Sequence, residues 1–192
     1  MNKKTSSKIK TLFKNRDRFY IFKTDKVYVD MNYILTDGCI VFRLCEEDYN
    51  DLNNTDSGMF PLLNDNEEIK IEKFNGSFER MDANCYSNLL NDLVDVMQDK
   101  TCTSRCRATN ILLDIGDGLV RFFKGSVDGK AVESAINDYF LDFARLLNIY
   151  DNPIFTEKCG NSGYCVSFNS TKRGVSILPV KCTTLKDLYE NA

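Results

Sequence analysis

The chain lacks the side chain that most often transfers protons near neutral pH, because none of its 192 residues is histidine. Histidine activates serine and cysteine nucleophiles in many enzymes, and it is the most common metal ligand in proteins. Ser-His and Cys-His nucleophiles and histidine-based metal sites are therefore excluded. The remaining candidates for chemistry are cysteines, carboxylates beside a lysine, and a segment rich in lysine and arginine.

Two pairs among the eight cysteines are close enough in sequence to be considered as zinc ligands. They are Cys102 with Cys106 and Cys159 with Cys165. Structural zinc sites usually have two to four residues between paired ligands, and the second pair is more widely spaced.

The basic N-terminus is followed by no apolar stretch, which predicts no signal peptide and a cytoplasmic protein. We therefore expect reduced thiols and neither metal nor cofactor.

Glu68 and Lys70 have the Glu-x-Lys spacing with which metal-dependent nucleases hold a divalent ion beside a positive group. The upstream carboxylates that could join them are Asp48, Asp51 and Asp56. A three-residue pattern often arises by chance in a chain with 28% charged residues. The nuclease is the least favoured hypothesis, and the sequence predicts a protein that acts by binding and not as an enzyme.

Positive charge is concentrated at the N-terminus, although the whole chain has a net charge of −3. Residues 1–26 hold nine Lys or Arg against Asp17 and Asp25, a charge of +7, so the remaining residues sum to −10. A basic arm on an acidic body favours contact with a polyanion or an acidic partner, and a solubilising helix explains it equally well. The predicted nucleic-acid contacts are Lys3, Lys4, Lys8, Lys10, Lys14, Arg16 and Arg18.

The apolar pattern predicts an α+β fold, with amphipathic helices on one face of an antiparallel sheet. The predicted helices cover residues 6–14, 82–97 and 135–147, the last with its first turn at 135 or 137. The two later helices should pack side by side on one sheet. The predicted strands are 19–22, 27–29, 33–35, 39–44, 69–74, 77–81, 109–115, 119–123, 154–157, 164–168 and 175–180.

Composition divides the chain into three predicted parts. Residues 1–45 form a basic arm, a short helix and a first strand module, and residues 69–192 form a second module of helices and strands. Residues 46–68 are acidic and rich in Asn, Asp and Gly, which predicts a linker or long loop. Because most elements begin beyond residue 18, we expect the fold to survive removal of residues 1–18.

Two segments resemble the DNA polymerase sliding-clamp, or processivity factor, family. Residues 33–44 contain Thr-Asp-Gly and then Phe-Arg-Leu, similar to a clamp signature that has histidine where Cys39 stands here. Residues 135–181 are similar to the final clamp half-domain, in which a helix started by Asn or Asp precedes two strands and a last strand carries Met-Pro-Met/Val-Arg. The counterparts are Asn137, Tyr139, Phe140, Leu141, Asp142, Leu146, Leu147 and Leu178-Pro179-Val180-Lys181.

The resemblance implies a DNA clamp-like fold, a homo-oligomeric ring, and a non-enzymatic role in DNA replication or with DNA-bound proteins. Clamp helices meet DNA with Lys and Arg, whereas the helix at 82–98 has no basic residue and the one at 137–148 has only Arg145. Contact with duplex DNA is therefore assigned to the basic arm. The small size and the Asn, Asp, Lys and Cys content are compatible with a phage or mobile element of a low-GC bacterium, acting in the host cytoplasm.

A phage anti-defence inhibitor is the alternative from another class. Its acidic body would imitate nucleic acid toward a host protein and act by protein–protein binding. No apolar run is long enough to span a bilayer, so no membrane contact is predicted. Binding to duplex DNA over a series of salt concentrations would separate the two hypotheses.

Overall fold

A computed structural model describes residues 1–25, 30–54, 56, 58–83, 86, 104–116, 118–159 and 163–180. Among these residues are three helices and eleven strands, and the sheets are mostly antiparallel, which confirms the α+β class. The chain forms two compact units, residues 1–92 with 170–174, and residues 93–169 with 175–192. These boundaries differ from the three parts predicted from composition.

The first unit is built on five antiparallel strands in the order β5-β4-β1-β2-β3. A tight turn joins β2 to β3, as the Asp-Gly pair predicts. Gly38 has a φ of +86° there, and Asp37 Oδ1 accepts hydrogen bonds from the backbone of Cys39 and Ile40 at 2.8 and 3.0 Å. The strands are β1 (Arg18–Lys23), β2 (Tyr33–Thr36), β3 (Ile40–Leu44), β4 (Glu68–Phe74) and β5 (Ser77–Asp82).

Helix α1 (Lys3–Lys14) confirms the predicted N-terminal helix and begins three residues earlier than expected. Its Ile9 and Phe13 side chains have no exposed surface. The Phe13 ring lies 4.7 Å from that of Phe19 and 5.8 Å from that of Phe42, measured between centroids. Because these rings belong to the core of the first unit, the structure argues against the expectation that the fold survives removal of residues 1–18.

Helix α2 (Glu46–Asn53) lies where the sequence predicted a linker or long loop. Three acidic residues occupy its first turn, where they complement the positive end of the helix dipole. Tyr49 and Leu52 are fully buried, and the Tyr49 ring stacks on Tyr33 at 3.8 Å. Two apolar residues are too few to show a helical period in an acidic stretch. This explains why the sequence predicted a linker or loop and not a helix.

The second unit has a sheet in the order β6-β7-β8, and its other strands lie in the order β11-β10-β9. Helix α3 (Asp138–Leu146) packs against β7 and β8. Strand β11 starts in the first unit with Arg173 and Gly174 and continues in the second. The strands are β6 (Cys106–Asp114), β7 (Leu119–Val127), β8 (Lys130–Asn137), β9 (Ile154–Lys158), β10 (Tyr164–Asn169) and β11 (Arg173–Ile177).

Strand β8 corrects the prediction that a helix begins at residue 135. The strand buries Ala135 and Ile136 and continues to Asn137. Asn137 is the N-cap of α3, because its side chain accepts a hydrogen bond from the backbone of Tyr139 at 3.0 Å. The chain therefore passes from strand to helix at one residue, and an apolar pattern shared by both elements hides the boundary.

Several predictions fall outside the described residues. They are the strand at 27–29 and most of the helix at 82–97, whose first residue, Asp82, ends β5. The packing of that helix beside α3 is therefore untested. Within the described part of the chain, no helix is long and apolar enough to cross a membrane.

Candidate nucleic-acid interface

Helix α1 positions most of the predicted DNA-binding residues. Asn2 caps it by accepting a hydrogen bond from the Thr5 backbone at 2.9 Å. Its apolar face is anchored by Ile9, Leu12 and Phe13. Since residues three and four apart share a helix face, burial of these three fixes which side chains point to solvent.

The solvent-facing side of α1 carries lysines and hydroxyl residues. The exposed residues on this side are Lys3, Lys4, Ser7, Thr11 and Lys14. No acidic residue is present in the first turn, where lysines oppose the positive end of the helix dipole. Lysine ammonium groups and the Ser7 hydroxyl are donors to phosphate oxygens, whereas the Thr11 hydroxyl already donates to the backbone oxygen of Ser7 at 2.9 Å. We call these five residues the lysine face.

Two other predicted contacts, Lys8 and Lys10, lie at the borders of this face and are half-buried. Lys10 Nζ donates to the backbone oxygen of Asp51 at 3.4 Å. Burial lowers the pKa of Lys10, partly offset by the charges of Asp56 and Asp51. Helix α2 and the segment after it therefore lie beside one border of the lysine face.

Arg16 and Arg18 are placed away from the helix surface. Arg16 Nε forms an ion pair with the buried Asp37 carboxylate at 2.7 Å, which fixes Arg16 at the β2–β3 turn. Arg18 is exposed at the start of β1, directly opposite Glu72 on β4. Both arginines have a neighbouring carboxylate, so they are weaker candidates for phosphate contact than the lysine face.

Lys14 is the member of the lysine face nearest to an acid. Its Nζ lies 3.5 Å from Asp56 Oδ2, while the Lys14 side chain remains 58% exposed. An exposed pair of this kind contributes little energy, because water and salt screen it. A phosphate could therefore compete for Lys14 at low cost.

The aromatic residues of the basic segment belong to the core. Phe19, Ile21 and Phe22 are fully buried or nearly so on β1. Tyr20 is half-buried, and its ring lies 4.7 Å from that of Tyr86. This confirms the core interpretation over base stacking, and it limits a DNA interface here to contacts with the phosphate backbone.

A cluster of charged groups around the buried Asp48 of α2 was not predicted from the sequence. Asp48 is buried and accepts a hydrogen bond from Arg173 Nη2 at 2.8 Å, and Arg173 Nε also contacts this carboxylate. The Met1 amino group lies 2.6 Å from Asp48 and 2.7 Å from Asp51. Sequence reasoning could not find it, because Asp48 and Arg173 are far apart in the chain and each stands among many charged residues.

The residues of the nuclease hypothesis are engaged elsewhere. Glu68 is buried and accepts hydrogen bonds from the Tyr86 backbone at 3.1 and 3.2 Å. Lys70 pairs with Glu72 at 2.8 Å. Among the upstream candidates, Asp48 contacts Arg173 and the Met1 amine, Asp51 contacts the Met1 amine, and Asp56 pairs with Lys14. Among the described residues, no three His, Cys, Asp or Glu side chains are grouped as metal ligands.

Helix α3 has a solvent face that is poorly suited to DNA. Its one basic residue, Arg145, pairs with Asp142 at 3.0 Å and lies over the Tyr150 ring at 4.8 Å. Asp138 in the first turn pairs with Arg121 at 2.6 Å. The basic contribution of α3 is thus committed to internal pairs.

The five described cysteines are free thiols. Cys39 is exposed, Cys45 and Cys106 are buried, and Cys159 is half-buried beside the buried Cys165. Cys85, Cys102 and Cys182 lie outside the described residues, and so does the prediction on the Cys102–Cys106 pair.

Comparison of the chain with protein-family models, with curated proteins and with solved structures gave no match.

Proposed function

We propose that the protein is a non-enzymatic, clamp-like binding module that acts in DNA replication or with DNA-bound proteins, and that it contacts DNA through the lysine face of α1. The observation that carries the proposal is an acid-free, lysine-bearing helix face on a protein of net charge −3. Repulsion among these lysines and the position of Lys3 and Lys4 at the positive end of the helix dipole both oppose folding, whereas Lys14 lies in the last turn, where its charge complements the dipole. A polyanionic partner would relieve both.

The dimensions of α1 suit a phosphate backbone. Lys3 and Lys14 are separated by roughly 16 Å along the helix axis at about 1.5 Å per residue. A DNA strand presents one phosphate per about 3.4 Å of duplex axis. The helix can therefore reach several phosphates, with Ser7 and Thr11 between the terminal lysines.

The clamp-like part of the proposal is supported by the order of elements in the second unit. Strand β8 leads directly into α3 through the N-cap Asn137, and β9, β10 and β11 follow. Leu178, Pro179 and Val180 come directly after β11, and the Val180 backbone donates to Ala135 O at 2.8 Å. The helix started by Asn137 and the strands after it agree with the sequence resemblance, whereas Leu178-Pro179-Val180, the counterparts of the motif in the last clamp strand, follow β11 and are not part of it.

The test is duplex DNA affinity over a series of salt concentrations, with the lysines replaced by glutamine. A variant with Lys3→Gln, Lys4→Gln and Lys14→Gln removes three charges from exposed positions. Every phosphate that the variant no longer neutralises should reduce the salt slope by about 0.9 on B-DNA. A reduction of the slope by roughly two to three is expected.

The matched control replaces three exposed lysines elsewhere, at Lys130, Lys158 and Lys172. The control variant loses the same net charge as the α1 variant. If its salt slope equals that of the unmodified protein, the effect of the α1 variant is due to the position of its lysines and not to the total charge. Equal reduction in both variants would contradict contact through the lysine face. Absence of DNA binding by the unmodified protein would refute the DNA role altogether.

The inhibitor alternative is favoured by an acidic surface on α2 and its surroundings. Glu46, Glu47 and Asp30 are exposed and line, with Lys172, a shallow cavity of about 350 Å³. This surface could receive basic groups of a protein partner. If the unmodified protein fails to bind DNA, the acidic surface becomes the leading candidate. Glu46→Gln with Glu47→Gln should then weaken capture of a basic host protein.

A further inference from the structure

The thiols of Cys159 and Cys165 lie in contact in the second unit. Cys165 is on β10, and Cys159 directly follows the last residue of β9. The Cys159 backbone donates to Gly163 O at 2.8 Å, which brings the end of β9 beside the start of β10. The two Sγ atoms are 3.2 Å apart and share a hydrogen bond. A disulfide bond has a length of about 2.05 Å, so a short movement of either sulfur would join them.

The two thiols differ in their access to solvent. Cys165 is 2% exposed, whereas Cys159 is half-buried. A small reagent therefore has better access to Cys159 than to the buried Cys165. This arrangement of an accessible thiol with a partner in reach is typical of reversible thiol chemistry.

The shared proton also distinguishes the thiols. The hydrogen bond with Cys165 lowers the pKa of Cys159, against burial and the charge of Glu157, which raise it. The same hydrogen bond and burial raise the pKa of Cys165. Cys159 is thus the better source of thiolate, the form that attacks disulfides.

We propose that Cys159 and Cys165 are a redox-active dithiol that closes to a disulfide by exchange with a small disulfide such as oxidised glutathione. The proposal rests on the sulfur–sulfur contact and on the unequal access of the two thiols. It is compatible with reduced cysteines in a reducing compartment, because the bond forms only when an oxidised partner is present.

The exchange takes place in two steps. The Cys159 thiolate attacks one sulfur of the small disulfide, so that a mixed disulfide forms and the first small thiolate leaves with the electron pair. The Cys165 sulfur then loses its proton and attacks Cys159, releasing the second small thiolate. Two protein thiols are oxidised by two electrons, one small disulfide is reduced to two thiols, and the leaving thiolates take up the two protons.

The experiment treats the unmodified protein, Cys159→Ser and Cys165→Ser with oxidised glutathione, blocks remaining thiols with an alkylating agent and maps the peptides by mass spectrometry. The unmodified protein should yield a Cys159–Cys165 disulfide. Cys165→Ser should accumulate glutathione on Cys159, because the resolving thiol is missing. Cys159→Ser should leave Cys165 largely unmodified, because its sulfur is buried.

Cys39 provides an internal comparison, because it is an exposed thiol on the first unit. It should form a stable mixed disulfide in every variant. A stable mixed disulfide on Cys159 of the unmodified protein, or no reaction there while Cys39 reacts, would overturn the proposal. If Cys165→Ser fails to fold, Cys165→Ala and early alkylation of the unmodified protein test the same intermediate. Closure should reverse on addition of excess dithiothreitol.

Discussion

Asp48 of α2 is the residue that contacts both of the positive groups in the cluster of charged groups around it. It is buried, and its carboxylate contacts Arg173 and the Met1 amine. A buried charge of this kind is tolerated only when its partners are in place, because removing one partner leaves the other without compensation. Asp48 therefore stabilises the approach of β11 to α2 within the first unit.

We predict that Asp48→Asn destabilises the first unit by about 3 kcal/mol, the lower end of the range for a broken buried pair, because Arg173 is 32% exposed. Urea unfolding followed by circular dichroism measures this. Asp65→Asn is the matched control, since Asp65 is 64% exposed in its pair with Lys23 and should cost less than about 1 kcal/mol. Equal destabilisation in the two variants would contradict the assignment.

The pH dependence of the same residue gives a second prediction. Burial would raise the pKa of Asp48, but hydrogen bonds from Arg173 and the Met1 amine lower it below its usual value. The stabilisation is therefore fully present above about pH 4, the unfolded pKa, and is lost as the pH falls through the lower folded value. Urea unfolding at several pH values should show the difference between the unmodified protein and Asp48→Asn shrinking only below about pH 4. If this difference in unfolding free energy has already disappeared at about pH 6, the pH dependence belongs to a group other than Asp48.

At the scale of elements, Gly174 lies against the Arg43 side chain of β3 within the first unit. A Cβ at Gly174 would stand within 3 Å of the Arg43 guanidinium atoms, which are fully buried. Gly174→Ala should therefore force the Arg43 side chain to move and cost about 1–3 kcal/mol. Gly58→Ala is the control, because nothing lies within 4 Å of its added Cβ. Thermal unfolding of both variants checks this, and similar melting temperatures would refute the close contact.

The elements that could be predicted are those with a strong period or an unmistakable turn. Helix α1 has Ile9, Leu12 and Phe13 on one face, and the Asp-Gly turn fixes the β2–β3 connection. Helix α2 has only Tyr49 and Leu52 to bury, and β8 passes into α3 without a break, so both were missed. In such cases the packing of the unit and not the local pattern selects the element.

The candidate site was predictable to a similar extent. The lysines of α1 are visible in sequence as a charge cluster, and the helical period predicts which of them face solvent. The ion pair that holds Arg16 at Asp37 depends on an approach of distant segments, which no local pattern records. The same is true of the pairing of Asp48 with Arg173.

At the scale of the whole molecule, α1 must serve both as part of the core and as the proposed DNA contact. Deleting residues 1–18 would remove Ile9 and Phe13 from the core, so we predict that the truncated protein loses the cooperative unfolding transition of the first unit. Denaturant unfolding measures this. The lysine-to-glutamine variant should retain the transition, because its three changes are at exposed positions. If the truncated protein unfolds like the full chain, the role of α1 in the core is contradicted.

The clamp-like proposal requires a closed ring around DNA, and one chain has a mass of only 22.0 kDa. We therefore predict a homo-oligomer, with a mass by size-exclusion chromatography and light scattering that is a whole multiple of this value. The Lys3→Gln, Lys4→Gln and Lys14→Gln variant should show the same mass, because its changes are directed at DNA. A monomer at all concentrations would refute the ring and leave DNA binding through the lysine face to be judged by the salt series. An oligomer without DNA affinity would instead favour a protein partner, since ring assembly alone does not require a nucleic acid.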